Sequence, residues 1–409
     1  MIGAVIKKRR LEKNMSQESL CKGICAISYL SKIESGQVTA SEQVIQLLLQ
    51  NLGVVLPDDF TGANEIANLI PKLWEHQYYG RMNAFMALYD KLSAHDHYLT
   101  YSIYAIDWYL LKVCAMQDQR NFEASSEMME ALETYKPYFS NLQSHYYALF
   151  KGTQTLSESE FRLALTHYER ALQFHHNGVT LFYISNAEYS LGNYINAIRL
   201  GSEAYTLLMQ EGNLFYAIEN TQILAAAYSN VKQLDNAVML YNRLLNMGQF
   251  INDEKVLISV YYNLGATYLA CKLFDKAIEL LDQLKPHLGA FDDWQFILCY
   301  QKLILCDLGL ERYDDAREKL RLVNEKLKDH HYPKDHSLII SFRWLNLYMS
   351  SNNPIITPTY LEAIRATFDA SRKDSHYGFT LFYSDYLIEA LKAHRRYKEA
   401  IDIKERMLG

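Results

Sequence analysis

Proline and cysteine are both scarce in this 409-residue chain, at 7 and 6 residues, and charged residues stop at 22%. With 49% of residues apolar, no long segment combines the low hydrophobicity and high charge that keep a chain disordered, so a globular protein is expected. Clean apolar runs are missing too. A stretch such as residues 296–308 is broken by Gln301, Lys302 and Asp307, whereas a membrane helix needs about 18 uninterrupted apolar residues. At the N-terminus, Lys7, Lys8, Arg9 and Arg10 follow a short apolar stretch with no continuous hydrophobic region and no small-residue cleavage site, so no secretion signal is read. The expectation is a soluble, cytoplasmic protein without contact to a membrane.

The close cysteine pairs, Cys21/Cys25 and Cys299/Cys306, have no neighbouring Cys or His at zinc-ligand spacing. All six cysteines are expected to be buried thiols in a reducing compartment, with no metal and no cofactor. Catalytic signatures are absent as well: there is no Gly-rich phosphate loop, no Gly-x-Ser-x-Gly and no His-Glu-x-x-His. The pairs His175–His176 and His330–His331 lack a carboxylate or Cys at ligand spacing. No catalytic residue is assigned and no enzyme activity is expected.

What the sequence does have is an uneven charge. Residues 1–56 hold seven basic groups against four acids, and the remainder holds the other 34 of the 41 basic residues and 43 of the 47 acidic ones. A polyanionic partner therefore suits the first stretch and not the second. The length also exceeds that of a usual single domain, so more than one structural unit is expected.

The basic stretch reads as four short helices. Residues 2–13 are good helix formers, and Asn14 can close that helix in a left-handed conformation. Ser16 offers an N-cap oxygen to a second helix over 17–22, with Glu18 favourably placed against its dipole. A turn at 23–25 leads to a third helix over 27–35 that stops at Gly36, and a fourth begins after Ser41 and ends near 51–53. Two helices joined by a three- to four-residue turn form a helix-turn-helix, whose second helix fits the major groove. Leu30 and Ile33 should face the core with Leu20 and Ile24, leaving Ile27, Ser28, Tyr29 and Lys32 outward. Hydroxyls there can contact bases or phosphates and Lys32 can neutralise a phosphate; the plain alternative is a solvated helix face.

The segments Met15-Ser-Gln-Glu-Ser-Leu20 and Leu30-Ser-Lys-Ile-Glu-Ser-Gly36 resemble the Cro/C1 (XRE) repressor family. Ile24-Cys25 followed by Ser31-Lys-Ile-Glu-Ser-Gly36 resembles its PlcR type in particular. The resemblance covers about residues 3–55. It implies that Gln17 contacts the DNA backbone or a base at the groove edge, that Ile27, Ser28 and Tyr29 read bases, and that Arg10 supports the fold or contacts a phosphate. Arg9 departs from the pattern, since it stands where the family usually has an apolar residue.

Beyond residue 64 an alanine pattern recurs. Ala124, Ala164, Ala197, Ala237, Ala277, Ala316 and Ala400 follow an aromatic or polar turn, with weaker members at Ala84 and Ala363, and successive spacings run from 33 to 47 residues. In the sharpest unit Leu264, Gly265 and Tyr268 lie 13, 12 and 9 residues before Ala277, and Leu224 and Tyr228 repeat two of those offsets before Ala237. This is the tetratricopeptide pattern, in which small residues let paired helices approach and Tyr fills the gap between neighbours. The reading is an all-α chain: a Cro/C1-type helix-turn-helix domain (residues 1–56), a linker (57–64), and a right-handed superhelix of about nine tetratricopeptide-like hairpins (65–409).

Such stacks present a concave surface lined by the first helix of each hairpin. Fourteen residues before each anchor the side chain should point into it: Tyr183, Ile223, Asn263, Lys302 and Tyr386, with Asn186 and Glu389 from the following turn and Gln222, Tyr262 and Gln301 adjacent. Asn and Gln offer both donor and acceptor to an extended peptide backbone, and Tyr adds rigid contact area with a polar tip. Many of the 32 tyrosines must instead simply pack between helices, and Lys302 could pair a ligand carboxylate or be a solvated charge.

A Cro-type head on tetratricopeptide repeats resembles the peptide-responsive quorum-sensing regulators of Gram-positive bacteria, the PlcR, PrgX, NprR and Rap (RRNPP) group. That resemblance implies a body that binds an imported oligopeptide, a homodimer, and two heads on a pseudo-palindromic site in double-stranded DNA, with occupancy shifting DNA affinity. Two alternatives stay open: a repeat module that modulates a partner protein such as a response regulator, and a ligand-independent repressor in which the repeats only dimerise.

Overall fold

The computed structural model describes residues 2–54, 63–251, 254–287, 293–329, 333, 335–350, 354–374 and 377–408, and among them every regular element is a helix. The head consists of α1 (Ile2–Glu12), α2 (Gln17–Cys21), α3 (Ile27–Glu34) and α4 (Glu42–Asn51). Local chemistry sets these boundaries. Asn14 takes φ 53°, the left-handed turn that a short polar residue tolerates. Ser16 accepts the Ser19 N–H at 3.0 Å and Ser41 accepts that of Val44 at 3.5 Å, so both serines cap a helix. Gly36 ends α3 at φ 74°.

Helices α1 and α3 meet at backbone level: a Cβ on Gly3 would lie 1.8 Å from the Ile33 carbonyl oxygen, so glycine is required there. Val5, Ile6, Leu20, Leu30, Ile33, Leu48 and Leu49 are buried together. Two expectations shift. Ile24 lies half-buried at the edge of this cluster rather than inside it, and Tyr29, expected outward, is half-buried against it. Tyr29 precedes Leu30 by one residue and Ile33 by four, which keeps it on the flank of the buried stripe.

Nine helical hairpins follow among the described residues. They are α5 (Ala63–Tyr78) with α6 (Met82–Ser93); then, after the short α7 (Asp96–Thr100), α8 (Ala105–Asp118) with α9 (Phe122–Glu133); α10 (Asn141–Ser157) with α11 (Phe161–Phe174); α12 (Gly178–Ser190) with α13 (Tyr194–Gln210); and α14 (Leu214–Asn230) with α15 (Leu234–Ile251). The last four are α16 (Glu254–Ala270) with α17 (Phe274–Asp282), α18 (Asp293–Gly309) with α19 (Tyr313–Asp329), α20 (Ser337–Ser350) with α21 (Pro358–Asp374), and α22 (Tyr377–Ala393) with α23 (Tyr397–Leu408). Each anchor alanine of the sequence pattern falls in the second helix of its hairpin. Those from Ala164 onward are buried. Ala124 is half-buried and Ala84 is exposed; in that first hairpin the fully buried Phe85 takes the filling role.

The turns repeat more faithfully than the residues in them. In eight hairpins the residue two places beyond the first helix is left-handed: Gly80, Arg120, Ser159, Gly192, Lys232, Lys272, Glu311 and Arg395, with φ between 57° and 79°. Six of these carry a side chain at a cost of about 1 kcal/mol each. Helix packing, not turn chemistry, therefore dictates the turn.

The chain divides into two compact units, Met1–Asn220 and Thr221–Gly409, so the head shares a unit with the first hairpins and the division falls inside α14. Of the expected linker, residues 57–62 lie outside the described residues and residues 63 and 64 open α5; the pair His330–His331 also lies outside them. In the first unit α5 packs back over the third hairpin, with Trp74 stacked on Tyr146 at 4.0 Å. The Tyr78 hydroxyl donates to the Glu211 carboxylate at 2.5 Å and Asn213 Nδ2 donates to the Tyr78 carbonyl at 2.8 Å, fastening the end of α5 to the turn before α14. In the second unit Leu303, Ile304, Trp344, Leu345, Tyr360 and Leu387 centre the core. Cys21, Cys114, Cys299 and Cys306 are buried free thiols, but Cys25 and Cys271 are only half-buried, since each sits in the turn that follows a helix and not on its inner stripe. No helix among the described residues is long and apolar enough to cross a membrane.

Candidate functional site

The head is organised by a carboxylate that the motif contained but the sequence reading did not single out. Glu34, at the end of α3, accepts from Arg10 Nε at 2.6 Å, from Arg10 Nη2 at 2.9 Å and from Gln17 Nε2 at 2.8 Å. Arg10 Nη1 donates to the Met15 carbonyl at 2.7 Å. Both ends of the ion pair are buried, with side chains 10% and 3% exposed, and its two-pronged geometry is the strong form of such a pair. Arg10 thereby joins α1, the α1–α2 turn and α3. Gln17, at the N-terminus of α2, is half-buried and held by the same carboxylate.

Ile27, Ser28 and Lys32 are exposed on α3, with Ser28 and Lys32 one turn apart on one face. Ala26 provides no side-chain cap, so the first N–H groups of α3 remain available to an oxyanion. The head is seated on the body: the Tyr138 hydroxyl donates to the Glu34 carbonyl at the end of α3 at 2.9 Å, and Lys8 Nζ of α1 lies 4.7 Å from the centre of the Tyr135 ring. Arg9, the departure from the family pattern, is half-buried and turns its guanidinium to Glu12 at 3.1 Å, which is how α1 accommodates a charge at that place.

Of the groove residues, the first unit holds Tyr183 and Asn186. Both line a cavity of about 350 Å³ with Gln77, Cys114, Phe150 and Glu219 among its walls. Tyr183 stacks on Tyr168 at 5.2 Å and its hydroxyl lies 3.3 Å from that of Tyr216; burial pushes its phenol up. The rings of Phe150, Phe182, Phe215 and Tyr216 also line this cavity. Gln77 is 5% exposed and its Oε1 has no partner among the described residues, so one wall presents a vacant acceptor. Nothing in the alanine pattern signalled Gln77, which precedes the regular repeats.

The second unit holds the others. Gln222 Oε1 accepts from Ser259 Oγ at 2.7 Å, and Asn263 Nδ2 donates to the same hydroxyl at 3.4 Å; all three are half-buried. Gln301 and Lys302 were placed on the groove by their spacing, but they are only 6% and 5% exposed. Gln301 Nε2 donates to Ser341 Oγ at 2.6 Å and to the Tyr383 hydroxyl at 3.3 Å, while Lys302 Nζ donates to Gln301 Oε1 at 2.7 Å and lies 5.6 Å from the centre of the Tyr262 ring. Burial pushes the Lys302 ammonium down to about 7. The correction has a physical cause: neighbouring first helices close over these positions, so their polar atoms are used inside the protein. Ile223 is half-buried, Tyr386 packs against Trp344, and Glu389 is exposed.

A family model described as helix-turn-helix matches residues 6–60. Over 264 residues the chain is 26% identical to the transcriptional activator NprA of Geobacillus stearothermophilus, a match that covers 60% of this chain and 62% of that protein. The chain thus spans less than two thirds of that relative. Among solved structures, the apo form of the quorum sensor NprR from B. thuringiensis aligns with TM-score 0.65 at 14% identity, covering 84% of this chain and 98% of that one. A Rap protein complexed with Competence and Sporulation Factor aligns with TM-score 0.64 at 15% identity, covering 85% and 97%. NprR in complex with its cognate peptide NprX aligns at 0.59, with 14% identity over 83% and 99%. The head thus matches a helix-turn-helix model, and the chain has the all-helical, tetratricopeptide-like fold of NprR and Rap.

Proposed function

We propose that the chain is a cytoplasmic transcription regulator that grips double-stranded DNA through α2 and α3, and whose repeat body binds a short signalling peptide that alters DNA affinity. The observation that carries the reading is the conjunction, in one compact unit, of a reader helix exposing Ser28 and Lys32 with a cavity whose wall bears Tyr183, Asn186 and the vacant Gln77 acceptor. An extended peptide has unpaired N–H groups that such acceptors satisfy. The solved complex of NprR with NprX supports a peptide as the occupant, and NprA, by its name, acts at transcription. A single head offers few phosphate contacts, so the working form is a homodimer on a pseudo-palindromic site.

The test starts from duplexes selected by the full-length protein out of a random library, followed by binding measured by fluorescence anisotropy. Lys32→Ala should weaken the selected duplex by about 1–3 kcal/mol without changing the melting temperature. A matching peptide from a synthetic library should raise that temperature and change DNA affinity, and Asn186→Ala should reduce both effects. Absence of any sequence preference removes the DNA reading. A sequence preference without any peptide response leaves the ligand-independent repressor, and binding of a response regulator in place of a peptide selects the partner-protein alternative.

A further inference from the structure

The body is acidic overall, yet one cleft of its first unit gathers cations. Lys136 follows α9, Lys151 lies on α10, and His167 and Arg170 lie three residues apart on α11; with Phe139, Ser144, Tyr147 and Phe174 they line a cleft of about 100 Å³. Lys136 Nζ and Lys151 Nζ stand 4.8 and 5.5 Å from the centre of the Tyr147 ring. Glu133 binds both lysines and accepts from the Tyr147 hydroxyl. Burial works against the charge of Glu133, but these donors hold its carboxyl down to about 2. One carboxylate against three permanent cations leaves the cleft positive, and Arg170 is exposed and has no acidic partner among the described residues. Burial, and after it Lys151, Arg170 and Lys136, push the His167 imidazole below its ordinary value.

We propose that Lys136, Lys151 and Arg170 hold a phosphate group in this cleft. The planar fork of Arg170 can meet two phosphate oxygens at once, the lysines supply point charges, and Ser144 can donate a hydroxyl proton. The aromatic walls lower the local dielectric and strengthen those contacts. A cleft of about 100 Å³ has room for a small tetrahedral oxyanion. Two sources share this chemistry: the backbone of a bound duplex and free phosphate or a small phosphate monoester. The cleft lies close in sequence to the seat of the head, since Lys136 directly follows Tyr135, which meets Lys8, and stands two residues before Tyr138, which holds α3.

The probe is inorganic phosphate, titrated into the full-length protein against chloride at matched ionic strength, with the His167 ring signal followed by NMR. Bound phosphate should raise the titration midpoint of His167, because it cancels the cations that depress it. Arg170→Gln, at an exposed helix position, should weaken phosphate roughly tenfold, and Glu133→Gln should tighten it by releasing the lysines. In the second arm, binding to non-specific duplex is measured against salt. If a DNA phosphate is the source, Arg170→Gln lowers the magnitude of the salt slope by about 1; if the slope is unchanged while phosphate binding is lost, the source is a small phosphate. A His167 midpoint that ignores phosphate, together with a salt slope that ignores Arg170→Gln, overturns the proposal. Neither arm depends on the peptide, so failure here is separate from failure of the regulatory reading.

Discussion

Two cations marked in the sequence as ligand contacts, Arg10 in the head and Lys302 in the second unit, are both buried, but their surroundings differ in kind. Arg10 meets a carboxylate through two nitrogens, and a third nitrogen takes the Met15 carbonyl, so its charge is fully compensated. Lys302 donates to the neutral amide of Gln301 and faces the Tyr262 ring, and burial pushes its ammonium down to about 7. The first arrangement fixes a charge and uses it as a tie between helices. The second leaves the charge conditional on pH. A buried cation is therefore a structural tie or a titrating group according to what faces it.

The contrast can be broken most severely at Glu34. Glu34→Ala strands Arg10 in the head core and should cost about 3–5 kcal/mol, read as loss of the head's cooperative unfolding in urea together with loss of DNA binding; a drop under 1 kcal/mol would place the pair among ordinary surface bridges. At Lys302 the sign is set by its depressed value. Between about 7 and the ordinary 10.5 the unfolded chain holds the extra proton, so stability rises with pH across that window and is flat below it with respect to this group. Thermal melts of the native chain and of Lys302→Met should diverge there by about 1–4 kcal/mol, the variant lacking the rise and being the more stable near neutral pH. Parallel curves would mean that Lys302 stays charged when buried.

Smaller effects sharpen the picture. Tyr138→Phe removes the hydroxyl that holds the Glu34 carbonyl and should cost about 1 kcal/mol, measurable as increased hydrogen exchange at the end of α3. Lys272→Gly relieves a left-handed turn and should be neutral to stabilising by up to about 1 kcal/mol in urea titrations. A clear loss would show that the Lys272–Asp385 bridge at 2.8 Å outweighs the strain.

The repeat architecture was open to reading because its signal is local and periodic. Small residues spaced by one hairpin mark where two helices must touch, and nine such places lead to nine hairpins. The head was legible for a similar reason, as Asn14, Ser16, Gly36 and Ser41 each act on their own neighbours. Positions 14 residues before an anchor were readable as first-helix positions, but their exposure was not. Tyr183 lines a cavity while Lys302, at the equivalent place, is covered together with its neighbour Gln301, which Ser341 and Tyr383 reach from helices 40 and 82 residues away. Glu34 stands within the motif, but its partner lies 24 residues upstream and nothing local announces the pair.

The sequence by itself determined the helices, the order of head and body, and the hairpin count, all of which rest on local chemistry or on a pattern that repeats with each hairpin. Only the tertiary structure decided which polar side chains are spent inside and which remain open to a partner. That allocation depends on distant helices competing for the same donors and acceptors, and a buried polar group takes whatever partner the packing brings.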